Sequence, residues 1–304
     1  MSTNAPLVSV VMGVRNGADT LATTLASLTQ GQDLDLEILV INDGSTDATG
    51  SILDGWAERD PRLRIFHREG KGLTRSLIEG CAAARGTYIA RQDAGDQSLP
   101  GRLVRQVALL EQDPKAVLCS SHVRMIVEEG ATVMVTRLAE ETLADGLVGP
   151  ACHGSVLMRR QAYEKAGGYR AGFYYAQDLD LWSRMVEAGT HRVVPEVLYE
   201  GSISPGSISG SRRKEQEAFH ALIVGATRAR RAGETEAPWL QKAEQLSEAC
   251  RTASRNPKGE AVGSYFIAAC LEAEHPQLAR RYLRRTLELN PWHLKARLRL
   301  WQNR

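Results

Sequence analysis

Ile89-Ala90-Arg91-Gln92-Asp93-Ala94-Gly95-Asp96, taken with Val40-Ile41-Asn42-Asp43-Gly44-Ser45-Thr46-Asp47, decides the fold. Each is a short apolar run that stops in carboxylates. In an open α/β sheet, ligands bind in the crevice beyond the C-terminal ends of the strands. Asp43 and Asp93 are therefore expected in one crevice despite lying fifty residues apart. Carboxylates at strand tips hold hydroxyls, base edges or metal-bound phosphates, so the pattern points to an enzyme acting on a nucleotide-linked substrate.

Outward from these stretches the chain alternates strand and helix. Strands are expected at Leu7–Val14, Leu36–Ile41, Leu63–Phe66 and Thr87–Ala90. Helices are expected at Asp19–Leu28, after Asp47 as N-cap, at Leu73–Ala84, and from Pro100 to about Gln112. This rhythm predicts right-handed crossovers and a mostly parallel sheet. After residue 115 it breaks. Ala116–Ser120, Val123–Val127, Thr132–Thr136 and Val156–Met158 read as strands, and Glu140–Asp145 and Asp178–Ala188 as helices. Ser202–Ser211 reads as a loop rich in Gly, Ser and Pro. From about Arg212 the pattern is helical, with segments near 213–232, 239–253, 260–272, 276–289 and 292–302. Asn256-Pro257, His275-Pro276 and Asn290-Pro291 punctuate them, and the part at 260–302 has the form of a tetratricopeptide-like hairpin. The expected division is a catalytic domain at 1–210, split at about 115, and a helical region at 211–304.

The 304 residues are 43% hydrophobic and 24% charged with a net charge of +2, enough for a full core and ordinary for a soluble globule. Residues 240–304 carry twelve Lys or Arg against six Glu. This basic region could face water, an anionic lipid surface or a second copy; no nucleic-acid partner is expected. The five cysteines form no CxxC pair, which argues against zinc and a disulfide framework and for a reducing cytosol. No signal-peptide pattern stands at the N-terminus, and no stretch reaches the roughly 18 apolar residues of a membrane span. A cytoplasmic protein, at most peripheral at the inner face of the membrane, is expected.

Val8–Asn16, Asn42–Asp47, Gly72–Gly80, Asp93–Asp96 with Pro100, and Gln177-Asp178-Leu179-Asp180-Leu181-Trp182 occur in order. Together they resemble the inverting family-2 glycosyltransferases of the GT-A fold, over about residues 7–210. The resemblance implies a Rossmann-like sheet with a nucleotide-sugar half at about 7–115 and an acceptor half at about 116–210. It implies a nucleotide-sugar donor, usually UDP-linked, a sugar or lipid-linked sugar acceptor, and a role in surface polysaccharide synthesis. By the same resemblance Asp43 binds the nucleotide base, Asp93 and Asp96 serve ribose and an Mg²⁺ or Mn²⁺ ion, and Asp178 is the base that deprotonates the acceptor. Trp182, His153 and Gln177 fall at the acceptor side.

Two departures bear on the metal. Gly95 stands where the family usually has the direct ligand, and Ser204-Pro205-Gly206-Ser207 has serine where a metal-side histidine is common. Positive charge for the diphosphate could instead come from Arg75, Arg91 or the Arg212-Arg213-Lys214 cluster. These departures leave a second reading, a catalytically weakened relative that binds nucleotide sugar or serves as a scaffold. A nucleotidylyltransferase would need a fuller Gly-rich basic loop than Arg15-Asn16-Gly17, and Gly13–Gly17 lacks the GxGxxG spacing of a dinucleotide enzyme.

Overall fold

A computed structural model of the chain describes residues 5–127, 130–136, 149–150, 152–206, 212–252 and 257–302. Strands β1 (Val8–Val14), β2 (Leu36–Asp43), β3 (Leu63–Arg68) and β4 (Tyr88–Arg91) pair in parallel in the order β3-β2-β1-β4. Helices α1 (Leu21–Thr29), α2 (Thr49–Ala57) and α3 (Leu73–Ala83) make the crossovers. Along β1, Val8, Val10, Met12 and Val14 enter one core with Leu21, Leu25 and Leu28 of α1. Val11 faces the other way, onto Leu77 and Cys81 of α3. This two-residue alternation, with both faces covered, is why β1 and β2 read as unbroken apolar runs.

Beyond β4 the sheet becomes mixed. After the two-residue strand β5 (Gln97–Ser98) and helix α4 (Arg102–Gln112) come β6 (Ala116–Ile126), β7 (Thr132–Thr136), β8 (Leu157–Arg159) and β9 (Thr190–Ser202). The full order is β3-β2-β1-β4-β8-β6-β9-β5, with β7 on β6. The two strands expected at 116–127 are one, and its register against β9 shifts around His122. The shift lies opposite Pro195 and Glu196, where a proline can sit only if the ladder is interrupted. That proline, dividing the valines of 190–199, also hid β9 from a reading by periodicity. Helices α5 (Arg160–Lys165) and α6 (Gln177–Met185) precede β9, and α6 ends three residues short of the expected Ala188. The helix expected at Glu140–Asp145 lies outside the described residues.

The helical region consists of α7 (Arg213–Arg231), α8 (Ala237–Arg251), α9 (Pro257–Leu271), α10 (Pro276–Leu289) and α11 (Leu294–Gln302). It is tied to the rest of the chain twice, once at the segment before α6 and once at the β6–β7 edge. Phe219, Ile223, Ala243 and Cys250 form a cluster with Phe173 and Tyr175. Ile267, Leu271 and Ala279 form another with Val127, Val133 and Ile203. Phe173 and Phe219 are fully buried, each contributing on the order of 1.5–3 kcal/mol.

Candidate active site

Parallel pairing of β2, β1 and β4 sends Asp43 and Asp93 off the same end of the sheet. Asp43 is buried as the last residue of β2, and both its oxygens are occupied. Oδ1 accepts the Lys71 N–H at 2.7 Å and Oδ2 the Gly72 N–H at 2.9 Å. It thus pins the turn into α3. A hollow of about 30 Å³ lined by Asp43, Arg68, Lys71, Arg75 and Ser76 adjoins it. Arg75 is exposed on α3.

Arg91 is neither solvated nor open to a ligand; it is fully buried. Its guanidinium donates to the Val11 and Gln92 carbonyls, to His153 Nε2 at 3.2 Å, and to Asp93 Oδ1 in an ion pair. Burial alone would raise the Asp93 carboxyl, but Arg91 and other nearby positive charge outweigh it and hold it below the usual range. Because Arg91 can only donate, His153 Nε2 must accept, which places the imidazole proton on Nδ1. Tyr169 Oη lies 2.7 Å from the same nitrogen. Burial, helped by Arg91, lowers the His153 pKa to about 3, so the ring stays neutral. Its edge packs on Trp182, with ring centroids 6.0 Å apart.

Asp96 belongs to a different network. Oδ2 accepts from the Tyr199 hydroxyl at 2.9 Å and Oδ1 from the Ser202 N–H at 2.8 Å. Tyr199 Oη in turn accepts the Asp93 N–H at 3.1 Å. Burial, with the Asp93 charge adding to it, pushes the Asp96 pKa up to about 7. Arg102, also fully buried, stacks 5.2 Å from the Tyr199 ring centroid and donates to the Gly154 and Arg91 carbonyls. Gln92 Nε2 bonds the Asp96 carbonyl at 3.0 Å, and its Oε1 accepts from Ser98. Tyr199, Arg102, Gln92 and Tyr169 were invisible as site residues in the sequence. Tyr199 lies on the unread strand β9, and Arg102 looks like any exposed arginine at a helix start.

Asp178 occupies the first turn of α6, partly buried, with Oδ1 accepting its neighbour's N–H from Leu179 at 2.9 Å. Burial raises its pKa, and the Asp93 charge acts in the same direction. The preceding Ala176 is left-handed at φ 55°, ψ 23°, a conformation that costs a non-glycine residue about 1 kcal/mol. That strained residue turns the chain into the helix whose first turn carries Asp178, close enough to Asp93 for its charge to be felt. Gln177 is buried beside it. Asp180 is not in the site. Fully buried, it pairs with Arg184 at 2.6 Å and Arg170 at 3.5 Å. Trp182 is core, as its place among Leu181 and Met185 allowed, yet its Nε1 has no hydrogen-bond partner among the described residues.

The segment leading into α6 is gripped from both sides. Thr74 Oγ1 donates to the Phe173 carbonyl at 2.8 Å. On the other side, the Tyr174 N–H donates to Ser247 Oγ at 2.9 Å, and that hydroxyl donates to the Gly172 carbonyl at 2.6 Å.

Among the described residues these groups offer a divalent ion little beyond Asp93 Oδ2. Three of the four carboxylate oxygens of Asp93 and Asp96 accept protein hydrogen bonds. Gly95 offers no side chain and turns the backbone at φ 97°. Among the described residues no three His, Cys, Asp or Glu side chains gather as a cation site.

A mixed sheet built on a Rossmann-like parallel half, with carboxylates off its strand ends and an all-helical continuation, defines the GT-A class of nucleotide-dependent enzymes. The profile of Glycosyl transferase family 2 matches residues 9–177, and the chain belongs to that family. It is similar to the putative glycosyltransferase EpsE of Bacillus subtilis (strain 168), 34% identical over 205 residues that cover 65% of this chain and 73% of that protein. It is similar in fold to the Pyrobaculum calidifontis mannosyltransferase PcManGT in complex with GDP-Man and Mn²⁺ (TM-score 0.56, 19% identity, 99% of this chain and 85% of that one). The same holds for residues 1–349 of S. aureus TarS in complex with UDP (TM-score 0.57, 17% identity, 97% and 88%).

Proposed function

We propose that the protein transfers one glycosyl unit, with inversion, from a nucleotide-sugar donor to a hydroxyl of a sugar or lipid-linked sugar, in the assembly of a surface polysaccharide. The observation carrying this reading is Asp178, a carboxylate in the first turn of α6 whose pKa is raised by burial and by the charge of Asp93. In the step proposed, the acceptor oxygen attacks the anomeric carbon as its proton passes to Asp178. The bond from that carbon to the leaving phosphate breaks, and the nucleoside diphosphate departs. A base with a raised pKa takes that proton more readily than an ordinary carboxylate does.

On the donor side, Asp43 fixes the Lys71–Gly72 turn where a base edge would lie. Asp93, held charged by Arg91, offers Oδ2 to a ribose hydroxyl, while Asp96 braces the strand β9 end. Gln177, His153 and Trp182 Nε1 stand on the acceptor side. The donor is taken to be UDP-linked, in line with the UDP complex of the similar TarS fold.

Calorimetric titration with UDP, GDP and dTDP, with and without Mn²⁺, tests the donor half of this reading. Binding of one nucleotide, weakened in Asp43→Ala, supports it. Failure of all three to bind overturns it. Binding without turnover on any acceptor preparation favours the non-catalytic relative.

A further inference from the structure

The last helix presents a surface that neither the sheet nor the neighbouring helices cover. Trp292 is 81% exposed, Leu294 76%, Trp301 66% and Leu298 54%. At about 100° per residue, Leu294, Leu298 and Trp301 fall in one stripe of α11, since i, i+4 and i+7 share a face. Lys295 and Arg297 flank that stripe on either side, and both are exposed. Ala296, buried in the hairpin core with Leu300 packed against it, lies on the opposite face. Arg297 also stacks 5.7 Å from the Trp292 ring centroid, which places a cation directly over an exposed indole.

Charge selects the occupant. Residues 276–302 carry seven Lys or Arg against one Glu, and Arg284 and Arg285 of α10 are exposed like Lys295 and Arg297. A second copy docking on this face by two-fold symmetry would set these cations against themselves. An acidic lipid surface offers the opposite charge. It also offers the layered environment in which indole rings and leucines enter while arginine and lysine stems reach back to the headgroups. Exposed tryptophan beside cations is the composition that settles at such a boundary. No helix among the described residues is long and apolar enough to cross a bilayer, so the contact is a surface one.

We propose that α11 and the turn before it, centred on Trp292, Leu294, Leu298 and Trp301, form a docking face for an anionic lipid bilayer, lying flat in its headgroup layer. The proposal is independent of sugar transfer.

The test is co-sedimentation of the full chain with vesicles of phosphatidylcholine alone and of phosphatidylcholine mixed with phosphatidylglycerol. Binding is expected only to the second. It should fall steeply as salt rises from about 0.1 M to about 1 M, where screening shortens to roughly 3 Å. The double variant Trp292→Ser/Trp301→Ser should bind at least about tenfold more weakly with an unchanged Tm, because both side chains are solvent-exposed. Lys295→Glu/Arg297→Glu should abolish the preference for anionic vesicles. Equal binding to both vesicle types, or none to either, overturns the proposal. So does a dimer in sedimentation velocity that the tryptophan variant dissociates, since a second copy would then occupy the face.

Discussion

Asp178 and Asp180 lie two residues apart on one helix, and their environments predict opposite consequences of removal. Asp180 is fully buried between Arg184 and Arg170. Without it the buried Arg184 guanidinium keeps, among the described residues, only the Ala166 carbonyl, because its Nε has no partner there. Breaking such a buried pair costs about 3–5 kcal/mol. At roughly 2–4 °C per kcal/mol for a large domain, Asp180→Ala should lower Tm by about 6–20 °C. Among the described residues no cation pairs with Asp178, and burial raises its pKa in the folded chain. A raised carboxyl pKa means the folded state binds more protons than the unfolded one. Ionisation therefore opposes folding as pH rises above the unfolded value. Asp178→Asn does not ionise, so its stability at pH 8 should equal or exceed that of the parent. Its kcat should fall by about 10²–10⁴, or about 3–5 kcal/mol of barrier. Differential scanning fluorimetry and release of nucleoside diphosphate from the accepted donor measure the two effects. If Asp178→Asn melts as early as Asp180→Ala, or turns over like the parent, the assignment of roles on α6 is wrong.

Three further outcomes follow from the network beneath the carboxylates. Asp96, with a pKa raised to about 7, takes up a proton on folding between about pH 4 and 7, so its contribution to stability declines as pH climbs through that window. In paired urea titrations, Asp96→Asn should gain on the parent over that window and keep its advantage above it; parallel curves would count against the raised pKa. A Cβ at Gly154 would overlap the Tyr199 hydroxyl. Gly154→Ala should therefore cost about 1–3 kcal/mol and reduce donor binding with it, by displacing Tyr199 from Asp93 and Asp96. Arg102→Lys keeps the charge but cannot reach two carbonyls with a planar fork. It should lose about 1–3 kcal/mol in chemical denaturation, and an unchanged midpoint would show that one carbonyl suffices.

The parallel half of the fold was legible because its strands are buried on both faces and end in carboxylates, as in Val40–Asp43 and Ile89–Asp93. Short-range apolar spacing carries that information. Asp93 could be singled out for a similar reason, since a carboxylate at a strand tip needs an explanation, whereas Asp178 was singled out only by the family resemblance of Gln177–Trp182. What holds them could not be read. Arg91 lies inside the motif yet reads as a surface cation, and only long-range pairing shows it buried against Asp93 and His153. Tyr199 reaches Asp96 across 103 residues of sequence, on a strand whose alternation Pro195 interrupts. The roles of Asp96 and Asp43 were blurred likewise, because hydrogen bonds to the Ser202, Lys71 and Gly72 amides leave no trace in residue spacing.

The grip on Gly172–Ala176 has a consequence for anyone recombining this chain with its relatives. The family match stops at Gln177, one residue before Asp178, and the helices beyond Arg212 look like interchangeable baggage. Yet Ser247, seventy-three residues after Tyr174, holds the very peptide that leads into α6. A chimaera that imports foreign helices without also importing residues 172–176 would keep every recognisable motif and still misaim Asp178. Natural variation in α8 should then track variation in that short strap more closely than it tracks the sheet.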